Sequence, residues 1–204
     1  MKGWIYLSEI RVIEKPANVS YETIRDIIHK AHQVHFDKGI VMKITTLSAK
    51  ELEERVTKNN GKCYIAMENE RIIGTLSYIK KYINHWYKHG NVIELTMIGI
   101  LPDYQGKHIF SKLYEKLEEM LAKDYDMICC DTAINNIHAQ LLYEKLGFVY
   151  VDFFASPSKH YSVEMVKWLK GNPYSKRYCD FRYKLKQLYT VMRFKPGKTK
   201  RFGI

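Results

Sequence analysis

The sequence contains little cysteine and arranges it in no pattern that binds metal or forms a disulfide framework. Its four cysteines, Cys63, Cys129, Cys130 and Cys179, include no C-x-x-C pair and no cluster with histidine at zinc spacing. Scattered cysteines of this kind are typical of buried, reduced thiols. The sequence therefore predicts a cytoplasmic protein that binds no structural metal.

Long hydrophobic runs are also missing. The N-terminal stretch MKGWIYLSEIRVIEKP is interrupted by Glu9 and Arg11 before it reaches the length of a signal peptide, and the apolar stretch VIELTMIGIL contains Glu94. A membrane-spanning helix needs about 20 mostly apolar residues. The sequence predicts neither an export signal nor a transmembrane segment.

Acidic residues are almost absent from the end of the chain. The 204 residues carry a formal net charge of +11, yet residues 170–204 hold eleven Lys or Arg against one acid, Asp180. The rest of the chain is nearly neutral, and a content of 46% hydrophobic residues is enough to fill a core. The sequence therefore predicts a globular domain over residues 1–169 and a basic, aromatic C-terminal extension over residues 170–204.

The hydrophobic pattern of the domain changes repeatedly between strand and helix periodicity. Strands are predicted at WIYLSEIRVI, KCYIAM, RIIGTLSYI, NVIELTMIGI, DMICCDTA, FVYVDFF and YSVEMVKWL. Helices are predicted to begin at Ser20, at the Ser48/Glu51 capping box, at Phe110 and at Asn136. The predicted fold class is α/β (α+β), a mixed, mostly antiparallel central sheet flanked by helices in the order β-α-α-β-β-β-α-β-α-β-β.

Two motifs lie where predicted strands lead into helices. The stretch IGILPDYQGKHIFSKL joins a strand to a helix, and NNIHAQLLYEKLGF follows the next strand. A strand-to-helix junction is suited to anions because free N–H groups and the positive end of the helix dipole converge there. Together the two motifs resemble the GNAT superfamily of acyl-CoA-dependent N-acyltransferases, and the resemblance covers roughly residues 5 to 168.

The resemblance implies an acetyl-CoA site at the first motif and no metal. In the family, Gln or Arg followed by x-x-Gly-x-Gly/Ala forms the pyrophosphate loop; this sequence matches at Gln105 and has His108 and Phe110 at the two small-residue positions. Backbone N–H groups donate whatever the side chain, and His tolerates positive φ better than most residues, so we expect weaker or reshaped binding. The implied cofactor-binding residues are Ile98, Gly99, Ile100, Gln105, Gly106, Lys107, His108, Ile109, Phe110, Ser111, Asn136 and Tyr143.

The second motif, Asn-x-x-Ala-x-x-Leu-Tyr-x-x-x-Gly-Phe, is complete from Asn136 to Phe148. The resemblance implies that Tyr143 is the general acid that protonates the leaving thiolate, whereas periodicity alone fits a purely structural tyrosine equally well. A phenol with a pKa near 10 is a weaker acid than a thiol near 8.5, so the transfer is uphill by about 2 kcal/mol. Either the site lowers the pKa of the phenol or the proton moves as the C–S bond breaks.

Alternation places Glu94 on the same face of its predicted strand as Thr96, Ile98 and Ile100. Glu94 therefore interrupts a face that is otherwise mostly apolar. Its place resembles that of the general base in several family members. The competing interpretation is a glutamate at the rim of the sheet, paired with Lys or Arg. The resemblance also implies that a backbone N–H within residues 98–100 stabilises the oxyanion where the strands separate.

Ring side chains form two further groups, each with two interpretations. His29, His32 and His35 follow one another at three-residue intervals on a predicted helix; this spacing drifts around the helix and favours packed or solvated histidines over metal ligands. The loop NHWYKHG before the Glu94 strand either lines an acceptor pocket, stacking on a sugar or a base, or is an ordinary aromatic loop.

The resemblance implies an enzyme that transfers an acetyl or related acyl group from acyl-CoA to a small-molecule amine, such as an amino sugar. The alternative is a catalytically weak or inactive GNAT-like binding module whose basic extension contacts nucleic acid or an anionic surface. The extension fits a strand as well as a helix with Phe181, Leu185, Leu188 and Met192 on one side. In either form we expect its apolar face to pack against the domain and its charges to point outward.

Overall fold

A seven-stranded sheet forms the centre of the protein. The computed structural model describes residues 10–37, 42–82, 85–87, 90–156 and 160–195. The strands are β1 (Ile10–Glu14), β2 (Lys62–Glu68), β3 (Arg71–Lys81), β4 (Val92–Ile100), β5 (Met127–Ala133), β6 (Val149–Ala155) and β7 (Tyr161–Trp168). They lie in the order β1-β2-β3-β4-β5-β7-β6, and every neighbouring pair is antiparallel except β4 and β5. The predicted mixed, mostly antiparallel sheet is confirmed.

Helices connect and cover the strands. They are α1 (Tyr21–Ala31), α2 (Gln33–Asp37), α3 (Ala49–Thr57), α4 (Ile109–Leu121), α5 (Ile137–Lys145) and α6 (Lys176–Arg193). The predicted starts are confirmed for α1, whose N-cap is Ser20, and for α3, whose capping box joins Ser48 and Glu51. The structure adds α2 and α6 to the predicted order.

The sheet separates two hydrophobic layers. On one face, α4 packs against β1, β2 and β3, and Leu113 of α4, Tyr143 of α5 and Ile93 of β4 belong to one buried cluster. On the other face, α1 and α3 cover the first strands, and Ile28, Leu52 and Met97 form a second cluster. Residues on β4 can therefore reach either layer, depending on which face their side chains occupy.

The basic extension forms the helix α6, which packs against the edge strand β6. The hydroxyl of Thr190 donates to the carbonyl of Phe153 at 3.0 Å, and Cys179 is fully buried. The prediction that the extension packs its apolar face against the domain is wrong, because Leu188 and Met192 are 60% and 79% exposed. Cys179, Tyr183 and Thr190 form the packed side instead, and the ring of Tyr183 lies 5.1 Å from that of Tyr150 on β6.

Parts of three predicted features lie outside the described residues: residues 4–9 of the first strand, residues 84, 88 and 89 of the aromatic loop, and residues 196–204 of the extension. Within the part of the chain that the structure describes, no helix is both long enough and apolar enough to cross a membrane.

Candidate functional site

The two parallel strands at the centre of the sheet separate after a short stretch of pairing. β4 and β5 pair from Val92 with Met127 to Glu94 with Cys129, although β4 continues to Ile100 and β5 to Ala133. The carboxyl ends of both strands point in the same direction because the strands are parallel. A wedge-shaped gap therefore opens between them just beyond Glu94.

A bulge in β4 lies at the start of this gap. Its pairing with β3 shifts register between Thr96 and Gly99, and Met97 has a φ of +53°, which is rare for a residue other than glycine. An extra residue in a strand moves the following side chains to the opposite face. Ile98 and Ile100 accordingly pack on the α4 side, so the prediction that they share a face with Glu94 is wrong.

His32, the residue at the C-terminal cap of α1, contacts the bulge. Its Nε2–H donates to the carbonyl oxygen of Ile98 at 2.8 Å. Burial lowers the pKa of His32, although the hydrogen bond to Ile98 opposes this, and the ring is in its neutral form at pH 7. His32 therefore positions the peptide group of Ile98 at the edge of the gap.

We expect a neutral His32 to make the stability of the protein sensitive to acid. A group whose pKa is lowered by folding contributes stability that is complete above its ordinary pKa of about 6.5 and is lost as the pH falls through the lowered value. His32→Gln keeps a donor for Ile98 but does not titrate. Urea unfolding at pH 7 and pH 5 should show a smaller loss of stability in the variant, and an equal loss in both proteins would contradict this role.

The loop that leads from β4 into α4 has the backbone of an anion-binding turn. Gly106 has a φ of +76°, and His108, the residue before α4, lies in the left-handed region at φ +59° and ψ 18°. The expectation that His108 tolerates positive φ is confirmed. No backbone acceptor for five N–H groups is found among the described residues: those of Gly106, His108, Ile109, Phe110 and Ser111.

The surroundings of this loop favour negative charge. The first turn of α4 contains no acidic residue, and Lys107 is exposed beside it. Free N–H groups at the positive end of a helix of 13 residues suit the oxygens of a phosphate or pyrophosphate. The donors of this loop therefore fit the pyrophosphate of coenzyme A.

Gln105 and Phe110 have structural contacts at either end of the loop. The side-chain amide of Gln105 donates to the carbonyls of Ala31 at 3.2 Å and Ile100 at 3.0 Å, so it fastens the loop to α1 and β4. Phe110 is buried among the hydrophobic residues under α4, as its place in the apolar stripe predicted. Phe110, which stands where the family has Gly or Ala, thus turns its ring into the core and leaves its backbone N–H free.

The second motif places Tyr143 next to this loop. Asn136 caps α5 by accepting from the N–H of Ala139, and Tyr143 is buried about two turns after Asn136. The ring of Tyr143 lies 6.0 Å from the ring of Phe110 and 5.5 Å from that of Phe148. Burial, and then the nearby Cys130 and Asp131, raise the pKa of the Tyr143 phenol well above 10. This side chain therefore keeps its proton at neutral pH.

A buried network of charges lies on the opposite face of the sheet. Glu94 accepts from Arg55 of α3 at 2.8 Å and from Lys81 of β3 at 2.8 Å. Lys81 also pairs with Glu164 of β7 at 2.5 Å, and the hydroxyl of Tyr87 donates to the same carboxylate. Lys81 thus bridges two carboxylates that are each less than a tenth exposed. Glu94 is buried beside the gap, as a general base would be, and it is also paired with Arg and Lys, as the competing interpretation predicted.

The network controls the protonation of its members. Burial alone would lower the pKa of Lys81, but the carboxylates of Glu164 and Glu94 outweigh it and raise that pKa. Burial and Glu164 together raise the pKa of the Tyr87 phenol. Lys81 is therefore a permanent cation, and Tyr87 a permanent hydrogen-bond donor, at neutral pH.

Sequence reasoning found Glu94 but missed the other residues of this network. Glu164 carries the same signal as Glu94, a single acid in the apolar strand YSVEMVKW. Arg55 and Lys81 have no such signal, because basic residues at a helix surface or a strand end are ordinary. Their role depends on which strands and helices are neighbours, and that is visible only in the fold.

The remaining ring side chains pack against protein rather than line an open pocket. Tyr87 is fully buried, and Trp86 contacts Tyr174 and Tyr178 at ring distances of 5.2 and 5.5 Å. The described residues include no group of three or more metal-binding side chains, and His32 contacts the carbonyl of Ile98 instead. The described part of the aromatic loop therefore connects the sheet to α6.

Comparison with known proteins agrees with this geometry. Residues 23–148 match the family model described as the acetyltransferase (GNAT) family. No curated protein sequence matches the chain.

Solved structures share the fold at low sequence identity. An acetyltransferase of the GNAT family from Staphylococcus aureus Mu50 has 19% identity and a TM-score of 0.61, with 79% of this chain and 99% of that chain covered. An acetyltransferase from Streptococcus agalactiae 2603 has 20% identity and a TM-score of 0.60, with 78% and 98% covered. The ribosomal-protein-S18-alanine N-acetyltransferase from Escherichia coli has 16% identity and a TM-score of 0.61, with 82% and 99% covered.

Proposed function

Because the chain belongs to the acetyltransferase (GNAT) family, we propose that it transfers an acetyl or related acyl group from acyl-CoA to the amine of a small molecule. The observation that carries this proposal is the contact between Phe110 and Tyr143, whose rings lie 6.0 Å apart. It places a buried, protonated phenol beside the free N–H groups of the first turn of α4. This contact supports the proposal that an anion site and a proton donor lie at the same gap in the sheet.

We propose that the loop from Gln105 to Ser111 binds the pyrophosphate through its backbone. The bound acyl-CoA would supply the acyl group as a thioester. Residues 98–100 border the gap after the bulge, and a backbone N–H in this segment is the proposed oxyanion donor. Asn136 shapes the other border, because its side chain caps α5 and also donates to Thr132 at 3.1 Å.

Tyr143 and Glu94 are the proposed acid and base. Tyr143 donates its proton to the leaving thiolate, and its hydroxyl has no acceptor among the described residues, so its proton is available. Glu94 lies on the opposite face of the sheet at the start of the gap. Because Glu94 is paired with Arg55 and Lys81, we propose that it acts through water on an amine that arrives largely neutral.

Binding of CoA at the loop can be tested by thermal unfolding. At a hundred times the dissociation constant, CoA should stabilise the protein by about 2.7 kcal/mol, which raises Tm by about 5–10 °C for a chain of this size. Ser111→Glu should abolish the shift because its carboxylate repels the pyrophosphate, and Ser111→Gln, a neutral side chain of the same size, should retain it.

The Ser111→Glu variant also separates loss of binding from loss of folding. An acid in the first turn of a helix stabilises the helix by roughly 0.3–1 kcal/mol, so its Tm without CoA should not fall. The absence of a shift for the unmodified protein at millimolar CoA would contradict the proposed site.

The binding module stays the second candidate, and the pairing of Glu94 with two cations favours it. Release of free thiol from acetyl-CoA in a screen of amines, amino sugars and peptides distinguishes the two functions. If the protein is an enzyme, the rate of thiol release should rise with the concentration of one class of acceptor. A module should bind CoA with no release above the rate without an acceptor.

A further inference from the structure

One side of α6 is apolar and mostly exposed, and Tyr178 at its start contacts Trp86 of the domain. The residues of this side, here called the α6 apolar face, are Tyr178, Phe181, Leu185, Leu188, Tyr189 and Met192, which are 40%, 58%, 49%, 60%, 48% and 79% exposed. At 3.6 residues per turn they occupy an arc of about 100° of the helix circumference. Cys179 and Thr190, the buried residues of α6, lie on the other side.

Basic residues border the α6 apolar face along both of its edges. Arg177 and Lys184 lie on one edge, and Arg182 and Arg193 lie on the other; all four are exposed. Asp180, the single acid of residues 170–204, lies on the side toward the domain and is only partly exposed. The four basic residues, Arg177, Arg182, Lys184 and Arg193, are here called the basic edges. They place positive charge on both sides of the α6 apolar face.

We propose that α6 docks the protein on the surface of an anionic lipid bilayer. An amphipathic helix of this kind lies in the plane of the interface, with its apolar face in the boundary between headgroups and acyl chains. Lys and Arg at its edges extend their aliphatic stems along the apolar surface and reach the lipid phosphates with their charged ends. The α6 apolar face and the basic edges supply both requirements on one helix.

The helix is held in place before any lipid binds. The hydroxyl of Thr190 donates to Phe153, and the hydroxyl of Tyr161 donates to the carbonyl of Phe194 at 3.0 Å. The guanidinium of Arg182 also lies 5.2 Å from the ring of Trp86. Because α6 is anchored on β6 through its other side, docking leaves the contacts with the domain intact.

The charge pattern favours lipid over a second copy of the chain. Tyr178, Phe181, Leu185, Leu188 and Met192 follow the 3-4 spacing of a coiled-coil seam. Pairs of helices that associate along such a seam place opposite charges at its flanks. Here both flanks are basic, so two copies would bring like charges together, whereas phosphates of a bilayer neutralise them.

The same pattern disfavours nucleic acid as the ligand. Nucleic-acid surfaces place basic and hydrogen-bonding side chains at the centre of the contact, where they meet phosphates and base edges. The centre of the α6 apolar face holds Phe181, Leu185 and Met192, which gain little from such a contact. Their burial is favourable in a medium of acyl chains.

Sedimentation with vesicles tests the proposal on the full chain. The protein should pellet with vesicles of phosphatidylcholine and phosphatidylglycerol in equal parts but not with phosphatidylcholine alone, and salt should weaken the binding. Leu185→Ser with Leu188→Ser should lower the affinity on the order of tenfold or more. The matched control, Val34→Ser with Met120→Ser, changes exposed apolar residues on other helices and should bind like the unmodified protein.

The contribution of charge has its own pair of variants. Arg177→Gln with Lys184→Gln should lower the affinity for these vesicles on the order of tenfold or more. The matched control, Lys50→Gln with Lys123→Gln, makes the same change of net charge elsewhere and should have a much smaller effect. All variants replace exposed residues, so an unchanged Tm confirms that they are folded.

Four results would overturn the proposal. The first is the absence of pelleting with anionic vesicles, and the second is equal pelleting of the Leu185/Leu188 variant. The third is a dimer in analytical ultracentrifugation that dissociates in that variant while vesicles do not bind, which assigns the face to a second copy. The fourth is retention on heparin or RNA without vesicle binding, which assigns α6 to another polyanion.

Discussion

Replacing Tyr143 by phenylalanine should lower the rate of acyl transfer by roughly 10²–10⁴ and change the affinity for CoA little. The substitution keeps the ring, which packs against Phe110 and Phe148, and removes only the hydroxyl. The thiolate then leaves without a positioned proton donor. Steady-state release of free thiol measures the rate, and the thermal shift with CoA measures the binding.

Tyr114→Phe is the matched control for this experiment. Tyr114 is buried in the same cluster, and its ring also packs against Phe110 and Phe148, but it lies on α4. Loss of its hydroxyl should leave the rate within about twofold of the unmodified enzyme. Full activity of Tyr143→Phe, or an equal loss in both variants, would show that Tyr143 is not the acid.

The environment of Tyr143 also restricts how its proton moves. The sequence left two routes, a lowered pKa of the phenol or proton transfer coupled to C–S cleavage. Burial raises that pKa in the free protein, which leaves coupled transfer as the route that the structure favours. Tyr143 should therefore stay protonated between pH 6 and pH 9, and its ionisation should not lower the rate of acyl transfer in this range.

The fold was predictable to a large extent because its signals are local. The capping residues Ser20, Ser48 and Asn136 mark helix starts through hydrogen bonds within a few residues, and all three are N-caps in the structure. Alternation of apolar residues likewise depends on near neighbours. The seven strands and four of the helices therefore appear in the predicted order.

The bulge in β4 was not predictable from periodicity. Nothing in VIELTMIGI marks Met97 as a residue with positive φ, since methionine has no preference for that conformation. The bulge depends on the pairing with β3 and on the contact of His32 with Ile98. Both partners are distant in the sequence, which is why alternation placed Ile98 on the wrong face.

The orientation of α6 was missed for a related reason. An apolar stripe usually marks the packed side of a helix, because burial of apolar area dominates the energetics. In α6 the packed side instead holds the small Cys179, the hydrogen bond from Thr190 to Phe153 and the ring of Tyr183, which packs against Phe153. As a result the α6 apolar face is exposed, and the proposed lipid contact rests on this exposure.

Lys81→Met should lower the free energy of unfolding by about 3–5 kcal/mol. Methionine fills nearly the same space but leaves Glu94 and Glu164 without their shared cation in a buried site. Arg55 and the hydroxyl of Tyr87 still contact these carboxylates, which places the expected loss toward the lower end of the range. Urea unfolding at pH 7 measures it.

Two further variants separate the charge network from ordinary packing. Lys80→Met makes the same substitution at the neighbouring position, whose side chain points to the other face of β3, and should change stability by no more than about 0.5 kcal/mol. Adding Glu164→Gln to Lys81→Met removes one unpaired charge, keeps an acceptor for Tyr87, and should restore part of the stability. Equal losses for Lys80→Met and Lys81→Met would refute a stabilising role of the network.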